Sequence, residues 1–183
     1  NQFSTTGTLK LGDASTTSSL TISGPINPGA IGALTLAASG GISQTTGSTI
    51  TVPNLRGQSG STVTLTEPNN VGTFAGSGGN VSFTNNGLSN IGAVDGANGV
   101  SGSTVTLKGD TIAINHPVSG STVPLAPRVA GAAIDVGSKP GGVFGVSDAE
   151  IDMISASTLN IGQNTSGSIT VSAPVDRASG NFF

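Results

Sequence analysis

Apolar and polar residues alternate along a short phrase that this chain repeats. The phrase joins Gly-Ser, usually with Thr, to Val or Ile, then Thr or Pro, then Val or Leu. Alternation with a period of two is typical of a β-strand that buries one face. In the copy that begins at Gly60, Val63 and Leu65 are predicted to face a core, while the threonine before each of them faces solvent. The copies are Gly47–Val52, Gly60–Leu65, Gly102–Leu107, Gly120–Leu125, the shorter Gly167–Val171 and the looser Asn80–Phe83.

The spacing between copies predicts how the strands are arranged. Val81 follows Val63 by 18 residues, and Val105 follows Val81 by 24. Shorter apolar pairs lie between the copies, and turn dipeptides such as Asn86-Gly87 separate them. A coil of about 20 residues that holds two or three short strands is typical of a β-solenoid. We therefore predict an all-β chain of stacked parallel coils, and 183 residues would give about nine coils and a rod of roughly 45 Å.

The composition suits strands that stack directly on one another. Only 8% of the residues are charged, 3% are aromatic, and the formal net charge is −3. Neighbouring coils lie about 4.8 Å apart, so that like side chains must stack on like. Small polar and β-branched side chains tolerate this arrangement, whereas stacked charges repel. The chain also lacks cysteine, which excludes disulfides and thiolate metal sites.

The end of the chain repeats its beginning. Two early stretches recur late: Thr8–Gly12 matches Thr158–Gly162, and Leu20–Ser23 matches Ile169–Ser172. The first offset is 158 − 8 = 150 residues, and the second is 169 − 20 = 149. We predict a single β-solenoid segment over residues 1–183 with a longer period laid over its coils. Residues 1–150 would form roughly one higher-order repeat, and residues 151–183 would begin the next.

One segment departs from the strand pattern. Ser147-Asp148-Ala149-Glu150 has the form of a capping box, which predicts one turn of helix at a corner of the solenoid. A strand over Ile151–Ile154 fits the sequence nearly as well, and both interpretations stay open. Pro124 stands inside a strand copy; because proline has no N–H to donate, we expect a bulge or a weakened ladder there.

Long stretches of the chain resemble a known family. They are Ile42–Ile50, Leu55–Gly76 (LRGQSGSTVTLTEPNNVGTFAG) and Ala132–Val175. These stretches are similar to the repeat region of filamentous haemagglutinin-like proteins, which are large bacterial exoproteins often exported by two-partner secretion. The resemblance implies a right-handed parallel β-helix. It also implies an extracellular or surface-attached fibre that acts in adhesion, aggregation or biofilm.

The acidic residues decide whether an enzyme or a metal site should be expected. Glycoside hydrolysis requires two carboxylates that face each other across about 5–10 Å. Of the nine acids, only Asp148, Glu150 and Asp152 cluster, and strand alternation would put them on one exposed face. We call these three residues the acidic trio. Their carboxylate oxygens are suitable Ca²⁺ ligands, but no calcium-binding repeat accompanies them, so they are only a weak candidate for a calcium site. We expect a solvated acidic edge with no catalytic residue and no cofactor.

Other residues that carry chemistry in many proteins are scattered here. His116 is the only histidine and is expected in a loop, because Pro117 follows it. Thr-x-Thr pairs, as at Thr62 and Thr64, could line an outer face as in ice-binding solenoids, but their uneven spacing argues against a strict register. Six scattered basic residues do not form the stripe that binds nucleic acid. No apolar run approaches the roughly 20 residues of a membrane helix.

These expectations combine into a structural function. We expect a shaft or matrix filament of a secreted or cell-surface bacterial adhesin rather than an enzyme. Its partners would be like units, stacked end to end or joined in one long chain, and also a host or matrix glycan or protein surface. The terminal Asn181-Phe182-Phe183 adds apolar surface that favours stacking. The alternative is a β-helix module that binds or cleaves carbohydrate, like a tailspike or a lyase, although the chain has no Trp or Tyr for sugar stacking.

Overall fold

The computed structural model describes residues 6–176, and nearly all of its regular structure is β-strand. Most strands belong to one 13-stranded sheet, and two smaller sheets complete the fold. The elements are β1 Thr8–Asp13, β2 Leu20–Ile22, β3 Ala33–Ala38, β4 Ile42–Gln44, β5 Thr51–Ser59, β6 Thr62–Ser77, β7 Asn80–Asn85, β8 Leu88–Ile91, β9 Ala93–Val94, β10 Ala97–Asn98, β11 Val100–Ser101, β12 Thr104–Gly109, β13 Thr111–Ile114, β14 Val118–Pro127, β15 Ile134–Gly137, β16 Phe144–Ser147, α1 Asp148–Asp152, β17 Ile154–Ile161 and β18 Ile169–Val171.

Two columns of parallel strands run along the solenoid. Column A contains β2, β4, the first part of β6, β7, β12, and the later parts of β14 and β17. Column B begins with β1, β3, β5 and the later part of β6, and continues through β8 and β13. Stacked residues keep register, as where Val63 lies on Ile42 and Val81 lies on Val63. The coils form a β-solenoid of about six turns spaced about 22 residues apart, which confirms the predicted solenoid.

The expectation of about nine coils is wrong, because the coils are spaced about 22 residues apart and one of them is much longer. In column A, Leu159 stacks directly on Val123, so this single step takes 159 − 123 = 36 residues. Part of the extra chain forms β15 and β16, which pair with each other in parallel. Because β18 then pairs with β15, the order in this small sheet is β16, β15, β18. At about 4.8 Å per coil, six turns give a rod of roughly 30 Å.

Inward-facing side chains of successive coils form one continuous core. Val63 and Leu65 are fully buried and Thr64 between them is exposed, as the alternation predicts. The rings of Phe74 and Phe83 stack with centroids 4.0 Å apart and planes 9° from parallel. Full burial of a side chain of this size contributes roughly 2–3 kcal/mol. Because one coil cannot enclose its own apolar side chains, this contribution depends on the coils above and below it.

A ladder of buried amides lines the corner between columns A and B. Asn69 stacks in register on Asn85, and the side chain of Gln44 donates to Asn69 at 2.8 Å. The side-chain oxygen of Asn69 accepts from the N–H of Ile50 at 2.9 Å, and its amide donates to carbonyl groups of its own coil and the next. Asn85 bonds both backbone groups of Val71, each at 2.9 Å. These amides satisfy backbone groups where the chain bends and the strand ladder is interrupted.

The predicted helix is confirmed. α1 spans Asp148–Asp152 with Ser147 as its N-cap, and both hydrogen bonds of the capping box are present. The competing strand over Ile151–Ile154 is wrong for most of its length, since only Ile154 lies in a strand, as the first residue of β17. The helix therefore forms the corner that leads into the long strand β17.

Pro124 weakens its ladder without distorting the strand. It lies inside the continuous strand β14. On either side of it, Thr104 pairs with Thr122 and Leu107 pairs with Leu125, so the register is unchanged and no bulge forms. The ladder to β12 is interrupted between these pairs, which confirms the second of the two expected outcomes.

The two copies of the terminal repeat lie at opposite ends of the described stack and in different columns. β1, which holds Thr8–Gly12, lies at the edge of column B against β3. The matching residues of β17, from Thr158 to Ile161, lie at the far edge of column A against β14. The period of about 150 residues stays a prediction. Asn181-Phe182-Phe183, which we expected to add apolar surface, lie outside the described residues.

Replacing Asn69 tests the amide ladder. We expect Asn69→Ala to lower the free energy of unfolding by about 3 kcal/mol, because it leaves several buried backbone groups without partners. The neighbouring variant Asn70→Ala removes an exposed amide and should change stability by less than about 0.5 kcal/mol. Urea unfolding followed by circular dichroism measures both, and equal midpoints would contradict the assigned role of Asn69.

Replacing Ser89 should stabilise the fold. Its hydroxyl is buried with no hydrogen-bond partner among the described residues, and it stacks in register on the buried Ile112. We expect Ser89→Ala to raise the free energy of unfolding by about 1 kcal/mol, because an unpaired buried hydroxyl costs more than a buried methyl. Ser61→Ala, at an exposed position, is the control. A Ser89→Ala protein whose unfolding midpoint lies at a lower urea concentration than that of the control would contradict this prediction.

Candidate functional site

The acidic trio lies at the corner that leads into β17, but it does not form one exposed face. Asp148, Glu150 and Asp152 all belong to α1 and not to a strand. On a helix, residues four apart share a face, and residues two apart do not. Asp148 and Asp152 therefore share one side of α1, and Glu150 lies on another. The expectation of a shared face is wrong because it assumed strand alternation.

Glu150 belongs to a polar network that joins three parts of the solenoid. One carboxylate oxygen accepts from the backbone N–H of Ile114 at 3.0 Å and from the ammonium group of Lys139. The other oxygen accepts from the backbone N–H of Ser147 at 2.9 Å and from its hydroxyl at 3.0 Å. The carboxylate thus fastens α1 to β13 and to the loop between β15 and β16.

These partners keep Glu150 charged. Burial alone would raise its pKa, but the ammonium of Lys139 and the backbone N–H groups of Ser147 and Ile114 outweigh burial and hold the pKa below its ordinary value. A general acid in glycoside hydrolysis needs a raised pKa, which is the opposite direction. The geometry makes Glu150 a charged structural anchor between α1, β13 and the loop that holds Lys139.

The other carboxylates of the acidic trio do not complete a metal site. Asp148 accepts at 2.9 Å from the backbone N–H of Asp176, a contact that ties the segment after β18 to α1. Between residues 6 and 176, no three His, Cys, Asp or Glu side chains are grouped closely enough to hold a metal ion. Weak calcium binding at Asp148, Glu150 and Asp152 therefore stays a prediction without geometric support.

A second polar cluster, beside the acidic trio, was not found from the sequence. The buried Asp135 of β15 accepts at one carboxylate oxygen from the hydroxyl of Ser172 and from the backbone N–H of Lys139, both at 2.8 Å. The hydroxyl groups of Ser138 and Ser172 lie 2.6 Å apart. The cluster fastens the chain after β18 to the chain after β15. No local pattern indicates it, because Ser138 and Ser172 are 34 residues apart in the chain.

The outer face of column A carries rows of small polar side chains. One row contains Thr62, Asn80, Thr104, Thr122 and Thr158, and a second contains Thr21, Ser43, Thr64, Ser82 and Thr106. Strict register is kept although the spacing in the sequence varies, contrary to the expectation. The threonine pairs are nevertheless interrupted by Asn80 and Ser82, and Thr51 of another pair lies in column B. The face therefore lacks the uninterrupted pairs expected of an ice-binding surface.

The last described strand exposes residues that occupy core positions. Ile169 and Val171 of β18 stack on Ile134 and Val136 of β15, which are buried. Their own side chains are 53% and 69% exposed, because no described coil lies beyond them. A strand edge also presents backbone N–H and C=O groups to any strand that pairs with it. β18 thus leaves two apolar side chains and one strand edge uncovered by the described residues.

The remaining candidate residues do not build a site. His116 lies in the loop between β13 and β14, as predicted. The phenylalanines that the structure describes, Phe74, Phe83 and Phe144, are all buried, so they offer no ring on which a sugar could stack. Within the described part of the chain, none of the helical structure has both the length and the apolar character needed to cross a membrane.

The pH dependence of stability tests the role of Glu150. Because its pKa is lowered from the ordinary value of 4.5, the charged form contributes stability above that value. This contribution is lost as the pH falls through the lower pKa of the folded state. We expect Glu150→Gln to lower the free energy of unfolding at pH 7 by about 1–2 kcal/mol relative to the unmodified chain. This difference should shrink below about pH 4. Urea unfolding across this pH range measures the difference in the free energy of unfolding between the two proteins. Asp176→Asn, at an exposed position, is the control. A difference that stays constant with pH would contradict the role assigned to Glu150.

The chain was compared with known protein families, proteins and structures. No family model, no curated protein and no solved structure matches the chain.

Proposed function

We propose that this chain is a structural segment of a secreted or cell-surface bacterial fibre, acting as a shaft or matrix filament in adhesion, aggregation or biofilm. The observation that carries the proposal is the uncovered core at β18. A further coil, from a longer chain or from a second copy, would bury Ile169 and Val171 as β18 itself covers Ile134 and Val136. Each added coil repeats the same contact, so a rod of this kind lengthens without a new type of interface.

The polar networks support a structural role. Glu150 is committed to Lys139, Ser147 and Ile114, and Asp135 is committed to Ser172 and Lys139. Both networks fasten strands and loops together. The rows on column A present small hydroxyl and amide groups, which keep the side of the rod polar without concentrating charge.

The resemblance to filamentous haemagglutinin-like repeats supports the extracellular setting. The solenoid is compatible with a β-helical repeat region of the kind that those exoproteins use for their shafts. The stretch Leu55–Gly76, which carries much of the resemblance, forms the later part of β5 and nearly all of β6. Two observations therefore support the proposal: the chain folds as stacked coils, and it resembles a family whose members use such stacks as fibres.

Self-association at β18 tests the proposal. The chain should form end-to-end rods as its concentration rises, seen by sedimentation velocity and by negative-stain microscopy as lengths in steps of roughly 30 Å. The double variant Ile169→Lys and Val171→Lys should keep its circular dichroism spectrum but stay a single unit, because charges on the edge prevent pairing. Leu88→Lys changes a side chain of similar exposure (47%) in β8, in the middle of the stack, and should assemble as the unmodified chain does.

Two results would contradict the proposal. One is a chain that stays strictly monomeric at the highest attainable concentration. The other is specific binding of a defined glycan on an array, abolished by the combined Asp148→Asn and Glu150→Gln substitutions. That second result would favour the carbohydrate-binding alternative, in which the acidic trio contacts the ligand.

A further inference from the structure

A small hairpin leaves the solenoid within column B. β9 and β10 pair antiparallel and form a sheet of their own. Before the hairpin, Ile91 stacks on Phe74. After it, Val100 stacks on Gly76. Residues 92–99 therefore stand opposite the single residue between Phe74 and Gly76, so the hairpin is an inserted arm and not part of a coil.

This hairpin lies over the outer face of column B and contacts coils far from its own. Four residues stack in register on successive strands of that face, namely Lys10, Thr35, Arg56 and Ala75. Val94 of the hairpin is buried in a small apolar cluster with Ala33 and Ala75, outside the main core. The hairpin thus reaches from the coil of β8 back over β6, β5, β3 and β1.

Asp95, at the tip of the hairpin, makes the polar contacts. Its carboxylate accepts from the hydroxyl of Thr35 at 2.7 Å, and the same oxygen lies 3.2 Å from the Lys10 ammonium and 3.7 Å from the Arg56 guanidinium. Arg56 also donates to the backbone carbonyl of Asp95 at 2.7 Å. The side chains of Asp95 and Arg56 are 17% and 22% exposed, so water screens this pair less than it screens an open surface pair. Lys10 is 61% exposed, so its contact with Asp95 is screened more strongly.

The turn itself holds the carboxylate in place. Asp95 and Gly96 have φ values of 47° and 81°. Two successive positive φ values are required by the type I′ hairpin turn, which Asp-Gly favours. The turn therefore does not depend on the contacts of the Asp95 side chain, and a glycine at position 95 would preserve it.

These contacts break the rule that a coil touches only its neighbours. In a solenoid that obeys the rule, the end coils open first and one at a time. Thr35 and Asp95 are 60 residues apart in the chain and lie on coils that are not adjacent. We propose that the β9–β10 hairpin is a clasp that ties β1 and β3 to the middle of the solenoid, so that these N-terminal strands open together rather than one coil at a time. The inference does not depend on the proposed fibre function.

Protonation of Asp95 should release the clasp. The hydrogen bond from Thr35 lowers the pKa of Asp95; burial opposes this, and the facing charges of Lys10 and Arg56 lower the pKa further. Because the folded pKa lies below the ordinary value of 3.8, the clasp is at full strength above that value. Its contribution is lost as the pH falls through the lower folded pKa.

Native-state hydrogen exchange of the Asp95→Gly variant tests the clasp. Glycine keeps the turn but removes the contacts to Thr35, Lys10 and Arg56. We expect the amides of β1 and β3 to exchange on the order of tenfold faster at neutral pH, since a hydrogen bond to a charged group contributes roughly this factor. The amides of β12 and β17 should be unchanged. Asp110→Asn, which alters the 2.9 Å ion pair with Arg128, is the matched control and should leave β1 and β3 as they are.

Exchange measured in low concentrations of urea tests whether the strands open together. In the unmodified chain, β1 and β3 should show the same dependence on urea, because one opening exposes both. In Asp95→Gly, β1 should open alone with a smaller dependence. The proposal is overturned if β1 already opens separately in the unmodified chain, if Asp95→Gly leaves its exchange unchanged, or if exchange rises equally along the whole solenoid.

Discussion

Stacking of one coil on the next, about 4.8 Å away and in parallel register, is the constraint on which the rest of the structure depends. It brings Ile42, Val63 and Val81 into one inward row. It also requires side chains in each outward row to tolerate a near copy of themselves, which explains a chain with 8% charged residues and few aromatics. The apolar core follows from the same stacking, because each coil supplies only one layer.

Four polar groups act where the chain leaves this ladder. Asn69 and Asn85 line a corner where the strand ladder is interrupted, Glu150 anchors the helix that interrupts the longest coil, and Asp95 holds the inserted hairpin. Each of them bonds groups from more than one coil. Their effect on stability is therefore larger than their small number suggests, because each joins segments that the sheet alone would leave independent.

The sequence predicts most accurately what depends on neighbours along the chain. The alternation correctly predicted that Val63 and Leu65 lie in the core, and the capping box at Ser147 correctly predicted the helix. The number of coils could not be predicted, because the 36-residue step between Val123 and Leu159 contains apolar strands that look like ordinary coils. The candidate site was less predictable still. The acidic trio was assigned to a strand face. The hairpin was not predicted, because Asp95 and Thr35, which join it to the solenoid, are 60 residues apart in the chain.

A distance along column A tests the central claim most directly. Thr21 and Asn160 are exposed and belong to the same outward row, six coils apart in register. The chain has no cysteine, so a spin label can be attached to cysteines introduced at these two positions alone. Electron–electron double resonance should give a narrow distribution near 30 Å, which is six coils at about 4.8 Å each. A broad distribution, or a mean beyond about 40 Å, would contradict a solenoid of about six stacked turns.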